Sequence, residues 1–198
     1  ALDQAALHPP ILAEVGRTGL RHVNGWMTEE WHPQLSGQRA VKVYREMADN
    51  DPLIGAFTFL FEMLVRQVKW TVRPADETEA AAEAAAFVKS CVEDMSITWS
   101  EFVSEIMSMV TYGWSLFEIV YKLRAGAGGV LPDSEYSDGR IGWKAFSVRS
   151  QDSLQRWEID DNGNTIGMWQ SAPPDYRERF IPLCKSLLFR VRSHKNSP

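Results

Sequence analysis

The chain is poor in the residues that most often carry chemistry. It has two cysteines in 198 residues, Cys91 and Cys184, and no C-x-x-C pair. Neither a disulfide framework nor a cysteine-rich zinc site fits thiols so few and so far apart. Cys91 falls on the apolar face of an expected helix and Cys184 in an apolar stretch. Both read as small buried hydrophobes in a reducing compartment. The four histidines, at 8, 22, 32 and 194, have no partner at metal-ligand spacing, and H-E-x-x-H is absent. No Gly-Lys-Ser/Thr follows Gly126–Gly129, so that segment reads as a flexible connector and not a phosphate loop. There is no G-x-S-x-G elbow. Asp160-Asp161-Asn162-Gly163-Asn164 lacks the spacing and the closing Glu of an EF-hand. An enzyme is not expected, and no metal or other cofactor is implied.

Long apolar runs are also missing. The longest, around 52–65, is interrupted by Glu62 and is too short to cross a bilayer. The opening Ala-Leu-Asp-Gln has no basic region ahead of an apolar run, so no secretory leader is expected. A soluble intracellular or particle-borne protein is the expectation, with no membrane partner. The net charge of −5 is unevenly spread. Residues 1–139 carry 11 basic and 20 acidic side chains, whereas residues 140–198 carry 10 and 6. A sequence-specific DNA binder needs a denser basic face than that.

What is present is a hydrophobic core and an excess of aromatic residues. Apolar residues make up 44% of the chain, and eight tryptophans include several outside any clear core pattern, as subunit contacts often do. Residues 1–37 hold Pro9-Pro10, Pro33 and four glycines without a sustained period, and read as an N-terminal arm. Trp26 and Trp31 lie in it, folded on the arm's own core or docked on a neighbouring subunit. A helix is expected from Gln38 to Asn50. Asp51-Pro52 then caps a second helix whose Leu53, Phe57, Leu60, Phe61 and Leu64 predict a strongly buried face. Val68–Arg73 alternates as a short strand closed by Pro74. Residues 76–95 predict the clearest helix, and Thr98-x-x-Glu101 the capping box of the next, up to Tyr112.

At Gly113 the apolar period changes. Phe102, Ile106, Met109 and Val110 recur at helical spacing, whereas Phe117, Ile119, Tyr121 and Leu123 alternate with Leu116, Glu118, Val120 and Lys122. Gly113 suits the left-handed turn that ends a helix. Glu118, the odd charge in an apolar strand, reads as one half of a local ion pair or a bond to backbone and not as a catalyst. Further strands are expected near Ile141–Arg149, in a hairpin turning at Asn162-Gly163, and over Cys184–Arg192. Helices before residue 112 and strands after it predict an α+β domain.

The order of these pieces resembles the portal proteins of tailed bacteriophages, closest to the Mu-type branch. The residues that carry the resemblance are Tyr44-Arg-Glu-Met47, Asp51-Pro52, Trp70-Thr-Val-Arg-Pro74, the corner from Tyr112 to Tyr121, Leu154 to Gly163, and Ile181 to Arg190. It covers about 38–198 and implies a portal wing domain, mainly antiparallel in its second half. It also implies an N-terminal portion of a longer protein, whose stem, clip and crown lie beyond it. Where relatives have Asp-Pro near the hairpin, this chain has Asp152-Ser153, so a different local turn is expected.

The resemblance further implies a structural subunit of a twelve-membered ring at the capsid vertex in the virion. Such a ring conducts double-stranded DNA without sequence preference, contacts the major capsid protein, and docks terminase and the head-tail adaptor. Trp26, Trp31, Arg190 and Arg192 are the expected subunit or capsid contacts, the two arginines by charge complementarity with the acidic first part. Another ring-forming neck or tail protein of a phage is the alternative.

Overall fold

The computed structural model describes residues 22–23, 26–27, 35, 37–128, 133–161 and 164–191. Trp31, Arg192 and the Asn162-Gly163 turn lie outside the described residues. In the arm, β1 (His22–Val23) pairs antiparallel with β2 (Trp26–Met27). The α+β expectation holds. Five helices come first: α1 (Gly37–Asn50), α2 (Pro52–Arg66), α3 (Glu79–Glu93), α4 (Trp99–Ile106) and α5 (Ser108–Tyr112). Six strands follow: β3 (Trp114–Leu123), β4 (Ile141–Arg149), β5 (Leu154–Ile159), β6 (Thr165–Ser171), β7 (Glu178–Pro182) and β8 (Ser186–Arg190).

The strands form two antiparallel three-stranded sheets, ordered β4-β3-β8 and β5-β6-β7. β3 is central in the first sheet and buried on both faces, so its successive residues Leu116 and Phe117 are both fully buried. Phe117 faces the helices, where Phe102 of α4, Phe146 and Phe189 close around it. Leu116 packs with Trp157 and Met168 of the second sheet. The core is thus layered as helices, sheet and sheet, with β3 in the middle.

Local signals explain most boundaries. Asp51 accepts from the backbone N–H of Leu53 at 2.9 Å and caps α2, with Pro52 at its first position. Thr98 and Glu101 make the reciprocal capping box that opens α4. The expected helix to Tyr112 breaks at Met107 into α4 and α5. At the corner, Gly113 has φ +82° and its N–H bonds Met109 O at 2.8 Å. An added Cβ would meet nothing within 4 Å, so only backbone strain opposes it. Gly113→Ala should therefore cost about 1 kcal/mol, read as a thermal-midpoint loss of about 2–4 °C.

Three expectations need correction. Val68–Arg73 forms no strand and pairs with none of the described strands; Val68, Trp70 and Val72 stay exposed. The second correction concerns α2, whose Leu53, Phe57, Leu60, Phe61 and Leu64 are all exposed. That helix instead packs through its other side, where Gly55 approaches α1 and Glu62 accepts from Ser104 of α4 at 2.6 Å. Cys91 is buried as expected, but Cys184 is exposed, in a 3-10 turn (Leu183–Lys185) that joins β7 to β8 at the surface. The loop after β3 is held at its described ends: Gly126 N bonds Tyr136 O and Gly139 N bonds Arg124 O, each at 2.9 Å. β7 was not expected. Asp152 sits in a 3-10 turn (Gln151–Ser153) before β5 and pairs with Arg45 of α1, tying the helices to the second sheet.

Candidate assembly surface

Charged side chains inside the fold come first, since they would be the seat of any chemistry. The alternation expected for β3 persists in its second half, but there the apolar face is the one turned to solvent. The β3–β4 ladder slips between Val120 and Tyr121, and beyond the slip Tyr121 and Leu123 are exposed while Lys122 and Arg124 are buried. The extra residue at the slip is Lys144 of β4, so β3 keeps its own period and only its register against β4 changes. Lys122 Nζ lies 3.1 Å from an Asp94 carboxylate oxygen at the end of α3, and also donates to Asp133 O at 2.9 Å. Asp94 accepts from Ser134 Oγ at 2.7 Å and from the N–H of Glu135 at 2.9 Å. Burial alone pushes the Asp94 carboxyl up, but the bonds from Ser134, Glu135 and Lys122 outweigh it and hold it below the usual carboxylate range.

Arg124, 2% exposed, pairs with Asp138 at 3.1 Å, donates to Ser90 Oγ at 2.9 Å and stacks on Tyr136 at 4.0 Å. These four charges clamp the loop after β3 onto α3. Asp94, Lys122 and Arg124 are buried, Asp138 closes the cluster at the surface, and the ions compensate one another, the arrangement of a structural brace. Sequence reasoning missed it; the available signal was two cations spaced i, i+2 at the end of an apolar strand.

Glu118 is ion-paired as expected, though with Arg149 of β4 rather than with a residue on its own strand. The pair lines a cleft of about 310 Å³ between the two sheets, with Gln170, Arg177 and Arg179 on its other walls. Arg179 and Arg177 share Asp175, at 2.9 and 4.0 Å, so half of their positive charge is neutralised. The bond from Arg179 and the N–H of Arg177 hold the Asp175 carboxyl below its ordinary range. Among the described residues, no group of three or more His, Cys, Asp or Glu side chains could hold a metal ion. No helix among them is long and apolar enough to cross a membrane.

The expected contact residues are not brought together. Trp26 lies in β2 opposite Val23. Arg190 ends β8 opposite Trp114, partly buried, and that burial lowers the pKa of its guanidinium. What the surface does offer is apolar. The stripe of α2 expected in the core faces solvent, with Leu53 77% and Phe57 56% exposed, and Phe57 and Phe61 stack at 4.8 Å. Continuing along the chain, Trp70 lies 58% exposed, its ring centre 6.1 Å from that of Trp99 of α4 in an edge-on arrangement. A second, smaller patch comprises Tyr121, Leu123 and Ile141; the register pairs Leu123 with Ile141. A cluster of exposed large apolar side chains marks an interaction surface more often than a single one does.

Compared with known proteins, residues 41–198 match the family described as the portal protein of Mu bacteriophage. No curated protein matches the chain. The matched region is most of the chain and runs from within α1 through β8, so it takes in the helical layer, both sheets and the apolar stripe of α2. The chain belongs to the family of Mu-type bacteriophage portal proteins.

Proposed function

We propose that this chain is the wing portion of a portal subunit that assembles, twelve to a ring, at the capsid vertex of a tailed phage. The ring is the conduit for double-stranded DNA during packaging and ejection, and the docking site for terminase and the head-tail adaptor. The observation that carries this reading is the family match across residues 41–198. The wing contributes contacts to neighbouring subunits and to the major capsid protein, and the virion is its place of action. It carries no catalytic step of its own. Supporting that part, its buried charges are mutually compensated, and Asp175 and Glu118 offset two of the three arginine charges at its cleft. Contact with DNA is weak and independent of sequence, because a conduit must let the duplex slide.

Identical subunits in a ring meet face to different face, and the contact closes by rotation. Negative-stain imaging of the full-length protein tests the reading: rings with a central channel are expected, and a uniform population of monomers overturns it. A metal-dependent nuclease assay on the same preparation should show no cleavage above background, and cleavage would overturn the non-catalytic part.

A further inference from the structure

α2 is built inside out. Its strongest apolar stripe, Leu53, Phe57, Leu60, Phe61 and Leu64, occupies an arc of about 100° on the helical wheel and faces solvent. The opposite arc, which carries Gly55, Thr58 and Glu62, is the side packed on the rest of the fold. A helix that only needed to close this core would turn the other way, since each exposed leucine or phenylalanine forgoes burial. Nothing on the inner side forces the choice by charge. The two ionic side chains of α2, Glu62 and Arg66, pair with each other at 3.5 Å and reach Ser104 and Ser100 of α4. Its orientation therefore makes sense only with an apolar partner on the stripe.

We infer that a second copy of this chain covers the stripe of α2. The inference rests on the ring reading above and assigns that ring a contact surface. Size supports it: taking ~200 Å² for a fully exposed Leu or Phe, the stripe presents on the order of 500 Å². With Val68, Trp70 and Val72, which follow α2 along the chain, the exposed apolar area reaches roughly 800 Å², against ~800 Å² per partner in a stable standard interface. Chemistry narrows the occupant. The stripe presents no cation, so it does not suit nucleic-acid phosphates. α2 also lacks the Lys/Arg-rich polar face of a helix that lies on a bilayer. The chain itself supplies an acceptor, the apolar patch of Tyr121, Leu123 and Ile141 on β3–β4. Two unlike apolar faces on one molecule are what a heterologous, ring-closing contact requires.

The test uses the purified full-length protein with Phe57 replaced by p-benzoylphenylalanine, and with the same photoreactive group at Lys89 on α3 as a control. After irradiation, denaturing gels should show dimers and higher multimers for position 57 and almost none for position 89. Peptides cross-linked to position 57 should come from residues 114–149. Adducts of monomer mass, cross-linked to the chain's own arm or to its continuation, overturn the inference, as does the absence of any adduct. A multimer adduct mapping outside 114–149 overturns the assigned acceptor face. In parallel, the double variant Phe57→Glu, Leu60→Glu should keep its circular dichroism and raise the concentration needed for ring formation at least tenfold; wild-type assembly by that variant overturns the inference. Native mass separates the two levels: rings with monomer-mass adducts sink the surface and leave the ring, whereas no oligomer in any variant sinks the ring itself.

Discussion

Asp94→Ala is expected to destabilise the folded unit by about 3–5 kcal/mol, because it strands a buried ammonium without its counter-charge. The Lys122 and Asp94 side chains are 4% and 3% exposed, so water cannot replace the lost partner. The substitution also orphans the hydroxyl of Ser134 and the N–H of Glu135, both of which donate to this carboxylate. In thermal unfolding the loss should be about 10 °C, at the roughly 2–4 °C per kcal/mol of a domain this size. Asp94→Leu combined with Lys122→Met should recover part of it, since both charges then leave together. A double variant as unstable as Asp94→Ala would mean that the hydroxyl and amide bonds, not the ion pair, carry the brace.

The same site sets a pH dependence. Its surroundings hold the Asp94 carboxyl below its ordinary pKa in the folded state. Its contribution is therefore fully present above about pH 4, the unfolded carboxylate value, and drains as pH falls through the lower folded pKa. The stability gap between wild type and Asp94→Asn should accordingly narrow between about pH 5 and pH 2. A gap that stays constant over that interval would remove Asp94 as the titrating group.

Phe102→Ala is the second large expected loss, about 3–5 kcal/mol, from lost burial together with the cavity left behind. The ring of Phe102 is 1% exposed and lies 4.8 Å from Phe146, 5.0 Å from Phe117 and 5.3 Å from Trp99. Helix α4 is held to the first sheet through these contacts, so a collapsed cavity cannot refill without moving the helix. Urea unfolding should show a lower midpoint with an unchanged slope. Phe57→Ala on α2 is the matched comparison: the same chemistry at an exposed position should change the stability of the isolated chain by no more than about 0.5 kcal/mol. Equal losses from the two would mean that Phe57 is covered in the isolated chain.

Much of the architecture was legible because its causes are local. Asp51-Pro52, the Thr98–Glu101 box and Gly113 act within one turn of backbone, and each boundary falls where those residues put it. The hairpin strands β5 and β6 flank the expected turn for the same reason. The portal family was likewise readable from the order of such segments, which needs no knowledge of what touches what. Contacts were the harder part. A partner for Val68–Arg73 depends on whether a sheet edge passes nearby, and no residue in the segment encodes that. β7 was missed because Arg177, Glu178 and Arg179 look like a solvated loop until β6 stands beside them.

The amino-acid order by itself determined where the helices end, where strands begin, that α2 has an intensely apolar stripe, and which family the chain belongs to. Only the tertiary structure decided which way that stripe points and which cations are buried. Periodicity fixes the phase of a face around its own helix or strand, but burial depends on the neighbour that the rest of the chain brings alongside. So Lys122 and Arg124, polar by composition, lie inside because buried Asp94 meets the first and Asp138 pairs with the second from the surface. Leu53 and Phe57, apolar by composition, lie outside because the packed side of α2 is the one that fits α1 and α4.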